Sequence, residues 1–199
     1  MSVKRVVSRG ERADYVEPMN LHPWQMPSQE QSATGEHLDL DWEVFGELCR
    51  ALALKVARDY DPDVIVGITR AGVIPGAVIA SILELDFCSI NISRRDADDT
   101  VRERPAIFSE VPLEVRGRRV LIVDEITTSG DTLRLALAAV RDRHPAEVRT
   151  ATSFARTSGY QPDYSALTMD AEVIFPWDKE VLEDGDLISN PRYDDVLGD

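Results

Sequence analysis

At 199 residues with 43% hydrophobic content, the chain is long enough for one domain with a real core plus extensions, and too apolar to be disordered. A formal net charge of −14 excludes nucleic acid and anionic membranes as general partners, because both would repel it. No apolar run reaches the ~20 residues that span a membrane. The start Met1-Ser2-Val3-Lys4-Arg5 has no apolar signal core, so a cytoplasmic protein is expected, with Cys49 and Cys88 as reduced core thiols.

Residues 1–37 read as an N-terminal extension, since Pro18, Pro23, Pro27 and Gly35 interrupt any period. The motif His22-Pro23-Trp24 either docks on the body or on a neighbouring subunit, or sits in a poorly ordered arm. Asp39 or Asp41 then caps a helix that runs to about Tyr60. Its apolar residues Trp42, Phe45, Cys49, Leu52, Ala53, Val56 and Tyr60 recur at three and four and form a core face.

Asp61-Pro62-Asp63 ends that helix, and Val64 to Ile68 is an aliphatic run of the kind buried on both faces of a parallel sheet. The turn Thr69-Arg70-Ala71-Gly72 leads into an apolar helix from Val73 to Leu85. Phe87 to Ser93 reads as a third strand. Residues 94–110 carry many charges, Arg94, Arg95, Arg102 and Arg104 among them, without apolar periodicity, and read as a long loop, either a solvated connection or a lid, as long structureless loops in compact domains often are.

The stretch from Val120 to Leu133 organises the chain. Val120-Leu121-Ile122-Val123 is a second buried run, and Asp124-Glu125 follows where the strand is expected to end. Thr127, Thr128, Ser129 and Gly130 make a hydroxyl-rich turn, and a helix starts near Asp131 with Leu133, Leu135, Leu137 and Val140 as its apolar positions. Such a strand-turn-helix aims backbone amides and a positive helix terminus at one spot, and Thr128, Ser129 and Thr132 add donors, so it is built to hold an anion. The acidic pair accepts hydrogen bonds from hydroxyls or helps to hold a divalent cation. A ligand with a phosphate at one end and vicinal hydroxyls at the other matches both halves. With no G-x-x-x-x-G-K-[ST] and no G-x-G-x-x-G, the chain is neither a P-loop protein nor a dinucleotide binder of the usual kind.

Beyond that helix, Glu147 to Ala155 reads as a strand, with Arg156-Thr157-Ser158-Gly159 at its carboxyl end, where open α/β sheets place ligands. The segment Asp170 to Asp178 follows, and residues 179–199 read as an acidic C-terminal tail.

The run Val-Leu-Ile-Val-Asp-Glu-x-x-x-Ser-Gly-x-Thr resembles the phosphoribosyl-pyrophosphate (PRPP) motif of type I phosphoribosyltransferases, and the resemblance extends from about Trp42 to Asp178. It is nearest the xanthine-guanine and hypoxanthine branch. The fold it implies is α/β, a mostly parallel central sheet flanked by helices with a small hood, over a phosphoribosyltransferase domain at residues 38–178. The implied reaction joins a nucleobase, a 6-oxopurine by preference, to PRPP and releases pyrophosphate. By resemblance, Asp124 and Glu125 hold the ribose hydroxyls, and Thr127, Thr128, Ser129, Gly130, Asp131 and Thr132 wrap the 5′-phosphate. Arg70, Ala71 and Gly72 correspond to the pyrophosphate loop, with Ala71 standing where a glycine is common. Residues 94–110 fall where the family has its catalytic lid. Arg156 takes the place of the lysine that donates to the exocyclic oxygen of the base, and Glu172 and Val173 fall where the base is covered. Mg²⁺ is the expected cofactor, near Asp124, Glu125 and Asp178, and a homo-oligomer (dimer) is expected.

Two departures bear on the acceptor. Thr128 stands where purine enzymes of this branch carry an Asp as proton acceptor, and a threonine is no general base near neutral pH. Glu172 stands where an aromatic residue stacks on the purine; a carboxylate can instead accept from ring N–H groups. Two other readings stay open beside the 6-oxopurine enzyme: a transferase with a non-purine acceptor such as a pyrimidine, and a PRPP-sensing regulator without turnover.

Overall fold

The computed structural model describes residues 37–95 and 100–197. The extension expected over residues 1–37, with its His22-Pro23-Trp24 motif, therefore lies outside the described residues apart from His37. The described chain opens with strand β1 (His37–Asp39), helix α1 (Trp42–Asp59), strand β2 (Val64–Thr69), helix α2 (Val73–Leu83) and strand β3 (Asp86–Arg95). Strands β4 (Val101–Ile107) and β5 (Arg119–Thr127), helix α3 (Asp131–Arg141) and strands β6 (Glu147–Ala155) and β7 (Tyr164–Thr168) follow. Three short strands, β8 (Glu172–Ile174), β9 (Glu180–Glu183) and β10 (Asp186–Ser189), and a turn of helix α4 (Asp194–Leu197) complete it.

Six strands form the central sheet in the order β4-β3-β2-β5-β6-β7. All neighbours are parallel except β3 and β4. The aliphatic runs of β2 and β5 lie at its centre because both of their faces need cover. Val64, Val66, Ile68, Val120 and Ile122 pack with Leu133, Ala136 and Val140 of α3. Ile65, Leu121 and Val123 pack with Leu52 and Val56 of α1 and Ile79 of α2. Asp41 caps α1, its carboxylate accepting from the Val44 N–H at 2.7 Å.

This order decides where a ligand can sit. From β2 the chain crosses by α2 to β3 on one side, and from β5 it crosses by α3 to β6 on the other. The strand order therefore reverses between β2 and β5, and a crevice opens beyond their carboxyl ends, the usual ligand position of an open α/β sheet. A small hood adds β1 paired with β8 and the antiparallel pair β9 and β10. Its core joins Leu40, Phe45 and Phe154 to Val173 and Phe175.

Three expectations are corrected. Strand β5 continues through the acidic pair to Thr127, with Asp124 opposite Thr152 and Thr127 opposite Ala155, so the carboxylates lie within the strand and not beyond it. The charged stretch expected as a loop over residues 94–110 holds the end of β3 and all of β4, paired antiparallel with Ile92 opposite Ile107. Its charges suit an exposed edge strand, where Pro105 is tolerated because no further strand needs its missing N–H. The stretch expected as an acidic tail over residues 179–199 is folded in its described part. β9 and β10 turn at Asp184-Gly185, Asn190 donates to the Asp178 carbonyl at 2.7 Å, and Tyr193 is buried.

Candidate active site

Two adjoining clefts open at the carboxyl end of the sheet, of about 660 Å³ and about 390 Å³. Asp124, Arg94 and Thr132 line both. The larger is walled by the end of β2 with Arg70, by Asn91 and Ser93 of β3, and by Glu125. The smaller is walled by the turn from Thr127 to Gly130 and the start of α3. Each opens where a parallel strand hands over to a helix, which is where backbone N–H groups stand free.

Close packing brings the two turns together. A Cβ on Gly72 would lie 2.7 Å from the Asp124 Oδ1 and 2.8 Å from both the Asp124 Cα and the Ile68 carbonyl oxygen, so only glycine lets the β2–α2 turn approach the acidic pair this closely. Gly130 caps α3 at φ 80°, and a Cβ there would meet the Tyr160 side chain at 2.3 Å. The Thr69–Arg70 peptide bond in the larger cleft is cis. Arg70 is exposed at the cleft, beside Ala71 and the buried Gly72.

Electrostatically the site is poised for a cation and an anion together. Asp124 is only 8% exposed, and burial pushes its carboxyl well above the usual range, with the charge of Glu125 adding to the shift. Burial also raises the Asp178 carboxyl; Glu125 adds to that shift, while Arg192 and Arg70 oppose it. Asp178 is thus within electrostatic reach of both Glu125 and Arg70. Among the described residues no three His, Cys, Asp or Glu side chains gather to hold a metal ion, so Asp124, Glu125 and Asp178 form no cage of their own. Two hard carboxylates on an open cleft nonetheless suit Mg²⁺, which keeps several waters and shares its ligands with substrate oxygens. Thr69 and Thr127, one in each cleft, carry buried hydroxyls without a hydrogen-bond partner. Thr152 and Ser153 of β6 share that condition away from the cleft walls.

The residues expected at a base meet a different arrangement. The Arg156 guanidinium donates to the Asp170 carbonyl, and the Thr157 N–H donates to the Asp170 carboxylate at 3.0 Å. Glu172 accepts from Arg192 at 3.0 Å and faces His37 Nε2 at 3.4 Å, because the chain after β10 folds a guanidinium back onto β8. Val173 is buried opposite Leu38 of β1. Neither Arg156 nor Glu172 lines either cleft. Arg94, on the wall of both clefts, belongs to no sequence motif. The available signal was alternation: Cys88, Ile90 and Ile92 of β3 pack on the α3 side, which puts Arg94 next on that face, at the start of α3.

Residues 40–184 match the phosphoribosyl transferase domain family. A xanthine-guanine phosphoribosyltransferase of Nitratidesulfovibrio vulgaris (strain DP4) is 28% identical over 155 residues, covering 76% of this chain and 90% of that protein. One from Cereibacter sphaeroides (strain ATCC 17025 / ATH 2.4.3) is 29% identical over 150 residues, covering 70% and 85%. Among solved structures, a purine phosphoribosyltransferase from Pyrococcus horikoshii Ot3 superposes with a TM-score of 0.64 at 28% identity, covering 74% of this chain and 99% of that one.

Proposed function

The chain belongs to the phosphoribosyl transferase family, and from that premise we propose that this phosphoribosyltransferase transfers the 5-phosphoribosyl group of PRPP to a 6-oxopurine and releases pyrophosphate. One observation carries the reading: Asp124 stands on the wall shared by two clefts, one beginning at Arg70 and the other at the Thr127–Thr132 turn. That spacing suits a ligand with a pyrophosphate at one end, a 5′-phosphate at the other and ribose hydroxyls between. Relatives named for xanthine, guanine and purine support the acceptor class.

In this reaction the bond from C1′ to the pyrophosphate oxygen breaks and a bond from C1′ to a base nitrogen forms, with that nitrogen's proton passing to solvent. Positive charge grows on the ribose as the leaving group departs. Asp124 and Glu125 accept from the ribose hydroxyls and favour that charge. Arg70 neutralises the pyrophosphate as it leaves. Asp124 and Glu125 are the residues that would hold Mg²⁺, whose charge would further neutralise the leaving group. At the other end, the turn amides and the Thr127, Ser129 and Thr132 hydroxyls fix the 5′-phosphate and so orient C1′. Arg156 reads the exocyclic oxygen of the base after releasing the Asp170 carbonyl.

A non-purine acceptor, such as a pyrimidine, is the second reading. It is favoured by Thr128, which supplies no general base, and by Glu172, whose carboxylate Arg192 already engages. Steady-state rates with adenine, hypoxanthine, guanine, xanthine and orotate, each with PRPP and Mg²⁺, separate the two. We expect turnover of 6-oxopurines and none of adenine, whose amine would face the Arg156 donor. Orotate as the best substrate would favour the second reading, and PRPP binding without turnover of any base would favour a sensor. PRPP should also raise the thermal midpoint, and Asp124→Ala with Glu125→Ala should abolish that shift.

A further inference from the structure

The family reading leaves one contact without a purpose, the ion pair between Arg94 and Asp131. Asp131 is the first residue of α3 and lies among the donors that would hold a phosphate. Left uncompensated, its carboxylate would repel a phosphate by like charge. Arg94 supplies the compensation. Its Nη2 donates to Asp131 Oδ2 at 2.7 Å and reaches the Ser129 hydroxyl at 3.4 Å, and its Nη1 donates to the Glu103 carbonyl of β4 at 3.1 Å. The Ser129 hydroxyl also donates to Asp131 Oδ2, at 3.0 Å. Two donors at the mouth of the loop, one of them charged, are thus turned onto a carboxylate of the loop itself. Arg134 offers Asp131 Oδ1 only a longer contact, at 3.6 Å. Beneath them lies Thr127, 3% exposed, its hydroxyl unpartnered on the wall of the same cleft. Arg94 and Asp131 are each 41% exposed, so solvent screens the pair and it contributes little to folding. Its consequence lies in binding.

We propose that Arg94 is an exchangeable counter-ion of this loop, neutralising Asp131 until a phosphate monoester enters and then turning, with the Ser129 hydroxyl, onto the phosphate. This rests on the phosphoribosyl reading of the same cleft. A phosphate presents more acceptor oxygens to the planar guanidinium than one carboxylate does, and the bidentate pairing is the stronger. Because Arg94 stands on β3, the exchange needs only side-chain torsions. Glu103 ties the same guanidinium to β4, so the exchange also couples phosphate occupancy to the edge of the sheet.

Calorimetric titration of ribose 5-phosphate into the wild type, Arg94→Ala, Asp131→Asn and the double variant tests this. Arg94→Ala should weaken binding by about tenfold or more, since it removes a charge-assisted donor and leaves Asp131 facing the ligand. Asp131→Asn should tighten binding. In the Asp131→Asn background the loss caused by Arg94→Ala should be clearly smaller, a non-additivity that a merely structural role would not give. Thermal midpoints without ligand should stay close to the wild type in all three variants. Equal losses in both backgrounds, or weaker binding by Asp131→Asn, would overturn the inference while leaving the phosphoribosyl site standing. Wild-type protein that binds no ribose 5-phosphate would overturn both.

Discussion

Arg70 and Asp59 show how differently a charged residue acts at the two ends of the sheet. Arg70 sits at the exposed lip of the larger cleft, where its guanidinium faces the space a ligand would occupy. Arg70→Ala should cost pyrophosphate and PRPP about 1.5–3 kcal/mol for each charge-assisted bond lost, and should leave ribose 5-phosphate nearly unchanged. Titration of the three ligands checks this, and equal losses for all would show general damage. Asp59, at the end of α1, has its partners inside the protein. The Tyr164 hydroxyl donates to its carboxylate, and Arg149 bonds it at 2.8 Å while stacking over the Tyr60 ring at 4.6 Å. The Tyr164 hydrogen bond above all, with Arg149 adding, holds the Asp59 carboxyl below its usual range. A depressed carboxylate stabilises the fold above its unfolded pKa of about 3.9, and that stability is lost as the pH falls through the lower folded value. Asp59→Asn should therefore lower the thermal midpoint near neutral pH, and the gap to the wild type should close in acid. A gap that persists at the acid end of a melting series would mean that the loss comes from packing instead.

Among elements, the β2–α2 turn and strand β5 behave as one unit because Gly72 lets them touch. Gly72→Ala would press a methyl group against the Asp124 backbone and the Ile68 carbonyl, neither of which is a flexible side-chain end. Overpacking of this kind costs about 1–3 kcal/mol, and here the strain falls on the acidic pair and the Arg70 turn together. We expect a lower thermal midpoint and weaker binding of both PRPP and pyrophosphate, measured by melting and titration; loss of stability with unchanged affinities would separate the two elements. Which elements could be read from the sequence follows from what buries them. The cores of β2, β5 and β6 were legible because strands covered on both faces need unbroken aliphatic or small residues, and α1 because its stripe repeats at three and four. Strand β4 was not legible: its first four residues are exposed, and backbone pairing with β3 defines it more than any apolar pattern. Strands β9 and β10 were missed for the same reason, with Leu182 and Leu187 exposed amid acidic residues. In the site, the motif spacing singled out Asp124, Glu125 and the Thr127–Thr132 turn, and all of them lie on the cleft walls. The partners of Arg156 and Glu172 were out of reach, since Asp170 and Arg192 meet them only through the folded path of the hood.

At the scale of the whole molecule, a chain of net charge −14 has a site read as binding a polyanion. The two are compatible because they act over different distances. The larger cleft is lined by Arg70, Arg94 and Arg95 against Asp124 and Glu125, so cations outnumber carboxylates within a few ångströms of a ligand there. Farther out, the excess of acidic residues over the whole chain sets the field, and it opposes an approaching phosphate. Salt separates the two ranges, because the Debye length falls from about 30 Å at 0.01 M to about 8 Å at 0.15 M ionic strength. Over that interval the distant repulsion is largely removed, while contacts made inside the cleft are screened much less. The association rate of pyrophosphate, followed by stopped flow without added divalent cation, should therefore rise with ionic strength. Its dissociation rate should rise as well, but less steeply, since the bonds being broken lie within the screening distance at every salt concentration used. An association rate that falls steeply with salt would mean that a positive funnel reaches beyond the cleft, and that the arginines at its rim, not the acidic surface around it, govern the approach.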